Sequence, residues 1–145
     1  MTVLDAFAVI AFLAGEAAAG DVETLLRSAD DRSRLSTVNM IETIDVLVRM
    51  RQHSLEDVHQ RLDWLRAEGL SLELLDPEAA AVAGTLRAAH YRRRTCEVSL
   101  ADCAALATAL AFGDALATAD PGLAAIARTE GVEVVALPDS QGRRP

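Results

Sequence analysis

Four carboxylates stand out by their placement. Asp5 directly follows the apolar stretch Thr2-Val3-Leu4, and Glu42 lies between Ile41 and Ile44 in a helical pattern. Asp102 and Asp120 interrupt the alanine- and leucine-rich run "VSLADCAALATALAFGDALATADPG" over residues 98–122. Acidic residues number 22 of 145, so four of them carry no weight by number alone. A charge among apolar neighbours is costly unless something compensates it. Local compensation is open to three of the four. Asp5 and Asp120 stand where N-caps would, and Asp102 falls three residues after Ser99, the spacing of a capping box. Glu42 has no such role. Capping explains each aspartate singly but not their common location, because Asp5 and Asp120 fall at the carboxyl ends of expected parallel strands. Glu42 follows another strand end by one helical turn, and Asp102 opens the helix that feeds the Asp120 strand. Open α/β sheets build their sites at those ends. Four carboxylates in one crevice repel, so either some protonate or a cation holds them. An all-oxygen donor set suits a hard divalent ion, Mg2+ or Mn2+. Such an ion activates water and neutralises a phosphate, the chemistry of phosphodiester hydrolysis.

The elements that must position these acids alternate between strand and helix, the pattern of a parallel α/β sheet. "TVL" reads as the first strand and "AFAVIAFLAG" as an apolar helix stopped by Gly15, with a second helix over about Asp21 to Ala29. "RLST" reads as a strand and "VNMIETIDVLVRM" as one helix whose buried stripe is Val38, Ile41, Ile44 and Val48. A further helix spans "SLEDVHQRLDWLRAEG", with Leu55, Val58, Leu62 and Leu65 facing inward. "LSLELL" is a strand, and Asp76-Pro77 opens a helix through about Ala89. Ser99 starts the next helix, "ALAT" gives a strand, Pro121 to Arg128 a short helix and "VEVVAL" a last strand. No internal repeat or linker divides the chain, so one domain over residues 1–137 and a frayed tail over residues 138–145 are expected.

Composition narrows the function classes. The formal charge of −8 argues against broad coating of nucleic acid, though not against a local basic groove. All 14 cations are arginines, and Arg92, Arg93 and Arg94 cluster beside Tyr91. On a nucleic-acid reading these arginines hold an RNA backbone and Tyr91 stacks a base; on the plainer reading they are a solvated surface. Cys96 and Cys103 form neither a CxxC pair nor a disulfide framework, and His53, His59 and His90 have no zinc-ligand spacing with them. No stretch reaches the length of a membrane span and no basic leader precedes an apolar one, so a cytoplasmic protein is expected.

The ordered set "VLDAFAVIAFL", "STVNMIET", "VSLADCAALATAL" and "ALATADPGL" resembles the PIN-domain ribonucleases of the VapC toxin type. The resemblance runs from residue 3 to about residue 137. It implies a single three-layer α/β domain with a central parallel sheet flanked by helices, and Mg2+- or Mn2+-dependent cleavage of RNA. Carried over position by position, it makes Asp5, Glu42, Asp102 and Asp120 the acidic quartet, with Asp5 and Asp102 as direct metal ligands and Glu42 and Asp120 acting directly or through water. Thr118 matches a hydroxyl that orients a water or carboxylate, and Asn39 and Ser36 match polar positions leading into the glutamate helix. The resemblance further implies inhibition by a cognate VapB-type antitoxin and assembly as a homodimer. The chain departs from many relatives at Phe7, where they carry a small hydroxyl residue, and at Pro121-Gly122-Leu123, where they carry more polar ones.

Other classes fit less well. A phosphoacceptor receiver domain needs a lysine near the acyl phosphate, and this chain has none. A haloacid-dehalogenase-like phosphatase needs DxDxT after its first strand, where "DAFAV" stands. The remaining alternative is a catalytically silent module that keeps the fold and binds RNA or protein.

Overall fold

Leu4, at the end of the first strand, pairs in register with Leu35 on one side and Ala117 on the other. That register fixes the architecture. In the computed structural model, which describes residues 1–28 and 32–145, the elements are β1 (Thr2–Leu4), α1 (Ala6–Ala14), α2 (Ala19–Arg27), β2 (Ser33–Ser36), α3 (Thr37–Asp45), a π-helical turn (Val46–Met50), α4 (Leu55–Ala67), β3 (Ser71–Glu73), α5 (Pro77–His90), α6 (Leu100–Phe112), β4 (Ala115–Thr118), α7 (Pro121–Thr129) and β5 (Val134–Ala136). All pairings are parallel, in the order β3-β2-β1-β4-β5. The chain winds outward from β1 through β2 to β3, then crosses back to β4 on the other side. The strand order therefore reverses between β1 and β4, and a crevice opens beyond their carboxyl ends.

Successive strand residues face opposite sides of the sheet. Leu4 and Ala117 join Val9, Val22, Val58 and Leu62 in one core beneath α1, α2 and α4. Their neighbours Val3 and Leu116 join Leu86, Leu106, Leu123 and Ile126 in a second core beneath α5, α6 and α7. The result is the three-layer α/β sandwich. Eight of the thirteen residues of α6 are buried, from Ala101 and Cys103 through Ala109. Its alanines are the condition for that burial, because a helix apolar nearly all round sits inside the protein and small side chains permit close approach. No helix among the described residues is long and apolar enough to cross a membrane.

The elements agree with the sequence reading to within a few residues, with four differences, one of them on α4, where Leu55, expected to face inward, is 52% exposed in the first turn. The second helix begins earlier, at Ala19, and its expected end at Ala29 lies outside the described residues. Residues 46–50 leave the α-helix for a π turn, in which the Arg51 amide donates to the Val46 carbonyl at 3.0 Å. The buried face of α3 is also not the expected stripe. Ile41 is 66% exposed, whereas Asn39, Thr43 and Leu47 are buried, together with the capping Ser36. The reason is a local hydrogen-bond set. The Ser36 hydroxyl caps the Asn39 amide at 3.1 Å and donates to the Asn39 side-chain oxygen. Asn39 Nδ2 then donates to the Ala101 carbonyl at 3.1 Å, and the Thr43 hydroxyl to the Asn39 carbonyl at 2.8 Å. Buried polar groups so paired cost little, and they dock α3 on α6. Residues 138–145, read from the sequence as a tail, carry contacts of their own: Arg143 pairs with Asp139, and Arg144 with Asp21.

Removing this docking bond has a definite cost. Asn39→Ala removes the acceptor of the buried Ser36 hydroxyl proton and the donor to the Ala101 carbonyl, and opens a small void, so about 2–3 kcal/mol of stability is lost. Urea denaturation checks this; a shift in midpoint no larger than that of a surface substitution contradicts it.

Candidate functional site

A cavity of about 390 Å3 lies beyond the carboxyl ends of β1 and β4, and Asp5, Glu42, Asp102 and Asp120 all line it. Each arrives on a different element. Asp5 follows β1 and caps α1, with Oδ1 accepting from the Ala8 amide at 2.7 Å. Its own amide donates to the Ala117 carbonyl at 3.2 Å, which ties it to β4. Asp120 caps α7 through the Leu123 amide at 2.8 Å, with Pro121 in the first turn. Asp102 forms the full capping box: its amide donates to Ser99 Oγ at 2.9 Å, and its Oδ2 accepts from the Ser99 amide at 2.7 Å. The Glu42 carboxylate, on α3, has no hydrogen-bond partner among the described residues. The aspartates are thus helix caps and cavity walls at once.

Thr118 joins two of them. Its hydroxyl lowers the pKa of the Asp5 carboxylate and accepts from the Asp120 amide at 3.0 Å. Asn39 and Ser36 do not line the cavity; they hold α3 against the first turn of α6, one residue before Asp102. Gly122 has a steric role. A Cβ there would stand 3.0 Å from the capping oxygen of Asp120, so the glycine leaves that carboxylate its place.

Electrostatics follow burial. Asp5 is 3% exposed. Burial pushes its pKa up to about 7, the nearby charges of Asp102 and Glu42 add to the rise, and the hydrogen bonds from Thr118 and Ala8 oppose it. Glu42 is also raised, by burial first and then by Asp102 and Asp45. The ionised forms of Asp5 and Glu42 are therefore disfavoured, which is the condition a cation relieves. Oxygen is the only donor type the acids offer, and no His or Cys lines the cavity. That set fits a hard divalent ion such as Mg2+ or Mn2+. Among the described residues no three acidic, His or Cys side chains already form a ligand cluster; the carboxylates share the cavity while held on their caps.

Tyr91, Arg92, Arg93 and Arg94 are not brought into this cavity. Tyr91 ends α5 under the Arg87 guanidinium, 4.0 Å from its ring centre. Arg92 pairs with Cys96 to close an exposed turn, and Cys96 lies against Gly122 at the start of α7. Two cavity residues have no signal in the sequence. Asp139 lies in the supposed tail, held ionised by the Arg143 amide and guanidinium. Arg51 follows the π turn, which no residue pattern announces.

A family model described as PIN domain matches residues 2–129. Among solved structures, FitAcB from Neisseria gonorrhoeae is 23% identical and superimposes with a TM-score of 0.65 over 92% of this chain and 96% of that one. VapBC2 from Rickettsia felis, bound to a DNA fragment from its promoter, is 15% identical with a TM-score of 0.66, covering 92% and 96%. A sarcin-ricin-loop-cleaving VapC toxin from Mycobacterium tuberculosis is 19% identical with a TM-score of 0.67, covering 86% and 94%. No curated protein sequence matches the chain.

The elevated Asp5 carboxyl sets a pH dependence. Between the ordinary 3.8 and about 7 the folded chain keeps a proton that the unfolded chain has released. Raising the pH through that window therefore lowers the stability of the metal-free protein, by at most about 4 kcal/mol from this group. Asp5→Asn keeps a capping oxygen, removes this component and raises stability above pH 7. Denaturation at a series of pH values in EDTA tests it, and identical pH slopes for the two proteins contradict it.

Proposed function

Since the chain belongs to the PIN-domain family, we propose that it is a metal-dependent endoribonuclease, the toxin of a VapBC-type toxin–antitoxin pair. The observation that carries the reading is the convergence of four carboxylates from four different elements on one cavity at the point where the strand order reverses. A bound Mg2+ or Mn2+ would supply a water of lowered pKa and charge neutralisation at the phosphate. Asp5 and Asp102 would hold the ion. Thr118 keeps Asp5 and Asp120 in fixed relation, so that Asp120 on the rim orients water. Glu42, its carboxylate free of hydrogen bonds among the described residues, accepts a proton from the attacking water. The caps hold the three aspartates before substrate arrives, and the apolar wall of Phe7, Ile10 and Val46 limits competing water.

The substrate in this reading is single-stranded RNA, met on the outside by Arg92, Arg93, Arg94 and Tyr91, whose turn abuts the start of α7. A cognate VapB-type antitoxin inhibits by seating a cationic side chain in the acidic cavity, and solved structures of similar fold include toxin–antitoxin complexes. A cytoplasmic homodimer belongs to the same reading.

Asp5→Asn and Asp102→Asn are expected to lower RNA cleavage at least about 100-fold while far-UV circular dichroism is unchanged. EDTA abolishes wild-type cleavage and Mn2+ restores it. Undiminished cleavage by both variants refutes the assignment, and a wild-type chain that binds RNA without ever cutting it favours the silent module. Replacing Arg92, Arg93 and Arg94 together by alanine weakens binding of unrelated RNA strands alike and flattens its dependence on salt. Salt titrations that superimpose on the wild type place the RNA elsewhere.

A further inference from the structure

Building on the ribonuclease reading, we propose that Arg51 is a substrate-binding residue whose guanidinium takes a phosphate of the RNA strand next to the acidic cavity, and that Glu16 is its positioning residue. Five carboxylates line this cavity, from Asp5, Glu42, Asp102, Asp120 and Asp139, and Arg51 is its single lining cation among the described residues. A polyanion approaching such a site is repelled, and one divalent ion cancels only part of that charge. A cation at the wall is what a phosphate needs there.

The alternative role for Arg51 is an internal counter-ion, and its contacts argue against that. Its only ion pair among the described residues is with Glu16, which does not line the cavity, and it has none with the five cavity acids. Glu16 thus holds the guanidinium away from the quartet, with the Arg51 side chain 48% exposed. A single Nη2 contact binds it to Glu16. A guanidinium has five N–H donors in a planar fork that matches phosphate oxygens, so several remain for a ligand.

The backbone is also committed to this placement. Residues 46–50 form a π turn, and Gln52 is the one described non-glycine residue with positive φ, at 59°. Each residue advances an α-helix by about 100°, so the wider turn sends position 51 in a different direction from the one regular helix would give. Two unfavourable local choices on either side of a single arginine fit a positioned side chain better than a solvated one.

The test separates this role from that of the quartet. In EDTA, where nothing is cleaved, the fluorescence anisotropy of a labelled single-stranded RNA should report about tenfold weaker binding by Arg51→Ala, with a salt slope lower by about one. Arg51→Lys recovers part of the affinity. Glu16→Gln, which still accepts from the guanidinium, binds nearly as wild type, whereas Glu16→Ala loses about threefold. In Mn2+, Arg51→Ala raises KM far more than it lowers kcat, and circular dichroism verifies the fold of each variant. Equal affinity and salt slope for Arg51→Ala and wild type overturn the proposal, as does a wild type without affinity for RNA in EDTA. An Arg51→Ala chain whose affinity for Mn2+ rises while RNA binding stays constant also overturns it, in favour of the counter-ion. The ribonuclease reading fails by a different sign, the absence of Mn2+-dependent cleavage by the wild type.

Discussion

Like charges must be kept close together here, and the structure manages this with helix amino termini. Three of the four acids stand at the starts of α1, α6 and α7, where free amides and the positive end of the helix dipole favour a carboxylate. Asp5 takes the Ala8 amide, Asp102 that of Ser99 and Asp120 that of Leu123. Each cap contributes about 1 kcal/mol toward holding its carboxylate, and at Asp5 this opposes the burial and neighbouring charges that disfavour the anion. The opposition between capping and function, natural when the sequence is read residue by residue, therefore disappears. The cap is the means by which the acid is held in the cavity.

That device constrains the layers. Bringing α6 beside both the sheet and α3 requires small side chains on nearly every side, and the alanine run from Ala101 to Ala109 meets the requirement. Alanine alone would leave the relative placement of α3 and α6 loosely specified. Asn39 removes the freedom by bonding to the Ala101 carbonyl, so Glu42 and Asp102 keep a fixed relation across two helices. On the β4 side Thr118 does the same for Asp5 and Asp120 with one hydroxyl. Gly122 completes the set, because any larger residue presses on the capping oxygen of Asp120.

What was legible in the sequence had a local cause. Asp-Pro at a helix start, Ser99 with Asp102, and short apolar strands alternating with amphipathic helices act over a few residues, and the order of elements and the quartet followed from them. The face of α3 was not legible, because a count of apolar positions cannot see that Asn39 and Thr43 find partners when buried. Hydrophobic periodicity ranked Ile41 above Asn39, and the hydrogen bonds reversed the order. The π turn escaped for a related reason: nothing in "DVLVRM" breaks a helix. Arg51 and Asp139 were missed with it, since their places depend on long-range folding. The triple arginine was conspicuous in sequence yet does not line the cavity, which shows how little charge density says about location.

The capping bonds also bear on which ions the cavity can favour. Oδ2 of Asp102 and Oδ1 of Asp120 are committed to backbone amides, which leaves one oxygen of each without a partner among the described residues. A carboxylate held in this way has one uncommitted oxygen, which favours single-oxygen over bidentate contact with a cation. Calcium commonly draws on bidentate carboxylates in a flexible shell, whereas Mg2+ takes single oxygens and keeps several waters. On the proposed reading, the bonds that hold these carboxylates would therefore favour, by what they withhold, the smaller and more hydrated ion, whose chemistry would be activation of a water.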